Sequence, residues 1–261
     1  MGAATLVLCA LLLFLRAETI LRFLVRFRPW QVMNQVNHYQ PTISRKLFIL
    51  ARILGGMSTR IERLPRPLPP VFLIISNHQS LADIPALAIA FRRHAVRFVA
   101  KKKLGRGIPY ISAVLRLGQH ALISRTGNYR EGQNELRKFA DLSRQGICPI
   151  VFPEGSRSRT GRVHSFYSGA VRIILERTLL PVLSVAVDGG YRICTLPKLM
   201  TNVRGTCYRV KPLTLYPAPH GKKEITELLG KVELEIVAQV EAWRQMEKDS
   251  PGERRSGAHQ S

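Results

Sequence analysis

Six short apolar runs recur through the middle of this 261-residue chain, at 71–75 (VFLII), 96–100, 121–124, 148–152, 183–187 and 208–211. The first has no polar residue in it, so a strand formed there has both faces covered rather than one face in water. Between the runs, apolar residues return at helical spacing over 83–91, 130–144 and 168–177, and a closing amphipathic helix is predicted over 223–243. Strands alternating with helices predict an α/β fold, a sheet covered on its faces. With 46% hydrophobic and 22% charged residues the composition is globular, which excludes a wholly disordered or collagen-like chain. The length suits one α/β domain with appendages.

The appendages are legible in outline. Residues 3–15 (AATLVLCALLLFL) would make ~20 Å of helix, short of the roughly 30 Å hydrocarbon core of a bilayer. Arg16, Glu18, Arg22, Arg26 and Arg28 then interleave with apolar residues up to Pro29 and Trp30. Residues 1–30 are therefore expected to be a membrane-interfacial helical anchor whose arginines reach the headgroups. A signal peptide and a tilted signal-anchor helix are the rivals. The first lacks a basic leading segment and a small-residue cleavage site; the second would still leave the body in the cytoplasm. Residues 31–70 read as a helical segment, around 43–54, followed by a proline-rich connector (LPRPLPP), 71–246 as the main domain, and 247–261 as a disordered tail. The cysteines, Cys9, Cys148, Cys194 and Cys207, are far apart with no C-x-x-C pairing, so free thiols are expected rather than a zinc site or disulfides.

Forty Lys plus Arg against 17 Asp plus Glu leave a formal charge of +23. Such a field attracts nucleic acid, an anionic membrane surface or phosphorylated substrates. Between Glu62 and Glu131 the only acidic residue is Asp83, among Arg92, Arg93, Arg97, Lys101, Lys102, Lys103, Arg106, Arg116, Arg125 and Arg130.

Asp83 closes the segment Ser76-Asn77-His78-Gln79-Ser80-Leu81-Ala82-Asp83, which follows the first buried strand and opens a helix. The carboxyl end of a strand is where side chains are both exposed and rigidly held. Five residues turn a helix about 140° beyond a full circle, so His78 and Asp83 cannot meet along one regular helix. His78 must sit in the turn, with Asp83 folding back to its Nδ1–H and leaving Nε2 free as a general base. An N-cap or a Ser80/Asp83 capping box explains the same spacing without chemistry. A second strand runs into Phe152-Pro153-Glu154-Gly155-Ser156-Arg157-Ser158-Arg159-Thr160-Gly161, where glycines and small hydroxyl residues free backbone N–H groups and two arginines supply paired donors for a phosphate. It is neither a P-loop nor a G-x-S-x-G elbow, and a basic solvated turn is its plain alternative.

Taken in order, these blocks resemble the glycerolipid acyltransferase family of the lysophosphatidate acyltransferase type. The likeness covers roughly 72–187: H-x-x-x-x-D at His78 and Asp83, a strand-ending arginine at Arg125, F-P-E-G-S-R-S from Phe152 to Ser158, and Pro181-Val182. The resemblance implies a glycerol-3-phosphate acyltransferase-like single mixed sheet flanked by helices. It also implies acyl transfer from acyl-CoA or acyl carrier protein to a lysolipid hydroxyl, without metal or other cofactor. By the same likeness, His78 is the base and Asp83 orients it. Arg125, Glu154, Gly155, Ser156, Arg157, Lys101 and Lys102 shape substrate binding. Two departures stand out. Lys103 occupies a place the family usually gives to an acidic residue, and Phe166-Tyr167-Ser168-Gly169 lacks the cation of the F-K-x-G pattern, which leaves a different lysolipid, such as a lyso-aminolipid, open as acceptor. His120 and Ala121 also depart from the second block.

Expected partners are the membrane lipid acceptor, the acyl carrier and an anionic cytoplasmic membrane face. No aromatic platform or recognition motif for nucleic acid accompanies the basic residues. The non-enzymatic alternatives are a basic nucleic-acid-binding protein and a membrane-surface scaffold.

Overall fold

The computed structural model describes residues 2–63, 67–124 and 129–249. Among them seven strands form one sheet: β1 (Ser58–Ile61), β2 (Leu73–Ser76), β3 (Ala95–Lys101), β4 (Ala121–Ile123), β5 (Ile147–Val151), β6 (Val182–Asp188) and β7 (Cys207–Tyr216). Their order is β1-β7-β6-β2-β5-β3-β4. Every pairing is parallel except β6 with β7, so the sheet is mixed. The helices are α1 (Gly2–Phe27), α2 (Val32–Gly55), α3 (Asp83–Ala90), α4 (Ile111–Leu117), α5 (Tyr129–Asp141), α6 (Ser168–Thr178), α7 (Leu196–Asn202) and α8 (Gly221–Asp249).

Both faces are covered, as the continuous apolar runs require. Every residue of β2, β5 and β6 is buried. Phe72, Ile74, Ile150, Leu183 and Val185 pack with Phe48 and Ala51 of α2 and Ala86 and Leu87 of α3. Their neighbours Leu73, Ile75, Val151, Val182 and Ala186 point the other way, onto α5, α6 and α8. This alternation is the two-residue period of a strand. Burying one such Leu or Ile side chain is worth about 1.5–3 kcal/mol, so the three central strands anchor the fold.

Three expectations need correction. The helix expected over 43–54 begins at Val32 and carries Pro41 inside it. Proline removes one helical hydrogen bond and marks a break when read locally, but Val36, Ile43 and Phe48 are buried on both sides of it, and that packing keeps the helix whole. The sheet starts at β1, ahead of the expected domain start at 71, because a four-residue edge strand alternating between exposed and half-buried has too little apolar signal to read. Residues 247–249, expected in the tail, are the last of α8, and 250–261 lie outside the described residues.

The N-terminal run is also longer than its apolar core. Arg16, Glu18 and Arg22 do not end α1, whose 26 residues make it long and apolar enough to cross a membrane. Yet it is laid along the body: Leu6 joins the core under the sheet, while Ala17 and Leu21 pack with Val36 of α2 and with Tyr110, Ala113 and Val114. Its other side exposes Leu8, Leu11, Leu12, Leu15, Phe23 and Phe27.

Candidate active site

The carboxyl end of β2, at the centre of the sheet, runs into the turn that holds His78. Asn77 fixes where that turn leaves the sheet: its side-chain amide donates to the Val187 carbonyl at 2.9 Å and accepts the Val187 N–H at 2.8 Å. His78 Nδ1 lies 2.6 Å from Asp83 Oδ2. Asp83 is wholly buried at the first turn of α3, and the same Oδ2 accepts the backbone N–H groups of Gln79 at 2.7 Å and Ser80 at 2.8 Å. Its other oxygen accepts the Tyr208 hydroxyl of β7. Asp83 therefore folds back over the turn: its bond from the Ser80 N–H is the return half of the expected Ser80/Asp83 capping box, and the same oxygen also meets His78. The carboxylate faces Nδ1 of the ring, an arrangement that orients the imidazole and turns Nε2 away from Asp83. Burial and the neighbouring Asp83 charge push the Tyr208 phenol well above its ordinary range, so it remains a donor.

The second block closes over the first. Phe152 stacks under the His78 ring at 4.1 Å between centroids. Glu154 is buried, and its two oxygens accept the backbone N–H of His78 at 2.6 Å and of His164 at 3.0 Å. Glu154 thus ties two backbone segments together. Burial raises its carboxyl to about 7, against the opposing pull of those two N–H groups. Gly155 turns the chain in the left-handed region (φ 64°), where a Cβ is strained. The Ser158 N–H donates to the His78 carbonyl at 2.7 Å, and Arg157 and Arg159 are exposed on the same turn.

Other expected site residues are more peripheral. Ser156 is half-buried and Gly155 exposed. Lys101 ends β3 and Lys102 follows it, both exposed, with Lys102 paired to Glu131 at 2.8 Å. Arg125 lies outside the described residues. His120 is structural: its Nδ1 accepts the Phe98 N–H at 3.0 Å, and burial, then Arg97, depresses its basicity.

A cavity of about 450 Å³ lies against Ser80, Leu81 and Pro85, the residues flanking Asp83. Its walls come from α1, α2, α3, α7 and the segment through α4, through residues such as Leu11, Phe14, Leu47 and Ile111. An apolar space of this size suits a hydrocarbon chain. Tyr110 stands in its wall with φ 61°, its N–H accepted by Glu18 of α1 at 3.0 Å and its ring against Phe14. The Tyr110 hydroxyl is buried without a partner among the described residues. A second, much smaller void lies on Tyr110 and Val114 as well.

A histidine held by a carboxylate, an apolar cavity and an arginine-bearing turn gather at the carboxyl ends of a mixed sheet, an arrangement chemically able to serve group transfer. Residues 59–188, about half of the chain, match the family model described as acyltransferase, and the chain belongs to that family. The chain is 30% identical over 154 residues to a probable 1-acyl-sn-glycerol-3-phosphate acyltransferase of Mycoplasma genitalium (58% of this chain, 54% of the relative). It is 29% identical over 119 residues to 1-acyl-sn-glycerol-3-phosphate acyltransferase of coconut, Cocos nucifera (46% and 38%). These matches span about half or less of the relatives' lengths. In fold it is similar to the crystal structure of the 1-acyl-sn-glycerophosphate (LPA) acyltransferase PlsC from Thermotoga maritima, with a TM-score of 0.72 at 22% identity over 93% of this chain and 95% of the other.

Tyr208, Asn77, Gln79 and Glu154 in its observed role were not legible as site residues. Tyr208 is 125 positions from Asp83, and nothing in its own strand marks it.

Proposed function

We propose that this protein is an O-acyltransferase that moves a fatty acyl group from a thioester, acyl-CoA or acyl carrier protein, to the free hydroxyl of 1-acyl-glycerol-3-phosphate in phospholipid synthesis. The observation that carries the reading is the His78–Asp83 contact, in a turn whose next residues, Ser80 and Leu81, line an apolar cavity. His78 Nε2 takes the hydroxyl proton as the oxygen attacks the thioester carbonyl carbon. The carbon–sulfur bond then breaks, and the imidazolium returns the proton to the leaving thiolate. Asp83 orients the ring and stabilises the imidazolium that forms. The thioester is already activated, so one base and accurate positioning suffice and no metal or other cofactor is required. Arg157 and Arg159 meet the acceptor phosphate, and the cavity takes an acyl chain.

α1 is docked on the body near both of its ends, which supports a helix lying in the membrane interface with its exposed leucines and phenylalanines in lipid. A charge of +23 favours the anionic cytoplasmic face. A different lysolipid is the second reading, favoured by the exposed Tyr167 where the family pattern has a cation.

The test is transfer from labelled acyl-CoA and acyl carrier protein to a panel of lysolipids by detergent-solubilised protein. His78→Ala is expected to abolish turnover with the fold intact. Transfer by that variant at the wild-type rate would sink the proposal, and transfer confined to another lysolipid would shift it to the second reading. Silence with every pair, together with tight binding to nucleic acid at physiological salt, would move it to the binding class.

A further inference from the structure

The arginine-bearing turn at 157–161 is tethered at both ends, and the far tether comes from outside the family-matched segment. At the near end, Ser158 N–H reaches the His78 carbonyl. At the far end, the Gly161 carbonyl accepts Arg244 Nη2 of α8 at 2.7 Å and Gln79 Nε2 at 3.3 Å. Arg244 and Gln79 also share Asp188 Oδ1, at 3.0 Å and 2.9 Å, and Asp188 is buried at the end of β6. The Arg244 guanidinium lies over the Tyr191 ring at 5.2 Å. Gly161 has φ 86°, and a Cβ there would meet Arg244 Nη2 at 2.5 Å and the Tyr191 ring at 2.7 Å, so the backbone approaches as closely as a glycine allows. Gln79 closes the circuit, since its own N–H is on Asp83.

The Arg244 Nε is buried without a partner among the described residues. An exposed surface pair would not need that desolvation. The side chain gives up water in order to bridge Asp188 and Gly161.

We infer that Arg244 is a positioning residue: through Gly161 and the Asp188–Gln79 link it holds the Arg157 and Arg159 turn at a set distance from His78, and so sets where the anionic head of the acceptor sits. The inference rests on the acyl-transfer reading for its kinetic consequence but not for the tether itself. Arg157, Arg159 and Arg162 are all trypsin sites within or just beyond the turn. In Arg244→Ala, cleavage at these three positions is expected to rise about tenfold with the thermal midpoint and cleavage elsewhere little changed, as a local opening requires. The acceptor KM should rise about tenfold, with the donor KM and kcat within about twofold, the pattern of lost ground-state positioning. Arg244→Lys, which keeps the charge and one reach to Gly161, should recover part of both effects.

Cleavage at 157–162 within about twofold of wild type would overturn the inference, since the tether would then carry no local stability. A fall in thermal midpoint with cleavage rising evenly along the chain would also overturn it, as the sign of a general structural role. Acceptor and donor KM rising together would do the same. If the wild type transfers no acyl group to any lysolipid, the function reading fails, and the cleavage pattern still decides the tether.

Discussion

The two halves of the site are built in opposite ways. Around His78 nearly every polar atom has a partner: Asp83 holds four donors, Glu154 holds two, and Asn77 is paired in both directions with Val187. The cavity beside it is walled by apolar residues of five segments, and the one strained position there, Tyr110, keeps a hydroxyl with no partner among the described residues. The polar half can be only one shape, because each lost partner leaves a desolvated group behind. The apolar half is specified by volume alone, and volumes can be refilled at small cost. Damage to the first should therefore cost chemistry, and damage to the second should change which chain is accepted.

Asp83→Asn makes the sharpest break. The amide can donate to His78 Nδ1 and so favour the wrong tautomer, and it leaves one of the turn N–H groups or the Tyr208 hydroxyl without an acceptor. The rate of acyl transfer is expected to fall about 10⁴-fold with secondary structure retained, measured in a single-turnover assay. A loss under about tenfold would mean that the imidazole is oriented by something else.

Glu154 gives a pH signature. Its folded carboxyl sits at about 7 against an ordinary 4.5. Between those values the folded protein holds a proton that the unfolded chain has released. The stability it contributes is therefore complete below pH 4.5 and is lost as pH rises through about 7, by about 3 kcal/mol at most. Urea midpoints across that range should fall more steeply for the wild type than for Glu154→Gln. Parallel curves would show that the carboxyl titrates in its ordinary range.

On the apolar side, Tyr110→Ala should join the main cavity to the small void behind it. The preferred acyl donor is expected to lengthen by about two carbons, with a change in selectivity of about tenfold at unchanged maximal rate. An unaltered chain-length profile would place the end of the acyl chain elsewhere. The smallest effect belongs to Tyr110→Phe, which removes only the unpartnered hydroxyl and should raise stability by about 1 kcal/mol. A loss of similar size would reveal a partner, such as a bound water.

How much of this could be read beforehand follows the same division. The six apolar runs set most of the sheet, whereas the H-x-x-x-x-D spacing put His78 in the turn but left a capping role for Asp83 open, and the family resemblance pointed to their pairing. Glu154 was legible as a member of its block but not in its role, since a carboxylate beside arginines reads as a substrate contact until burial shows both oxygens on backbone N–H groups. β1 was too short and too exposed to carry a period, and Pro41 concealed the first half of α2.

The sequence alone determined the α/β alternation and the covered central strands, because periodicity is a property of neighbouring residues; the pairing of His78 with Asp83 was left open by the spacing and implied by the family resemblance. Only the tertiary structure decided that Tyr208 completes the hold on Asp83, that Arg244 reaches back to Gly161, and that α1 and α2 wall a cavity against the turn at Ser80 and Leu81. The first two contacts join residues 125 and 83 positions apart, and the free energy of all three exists only once the sheet has brought its edges and covering helices together.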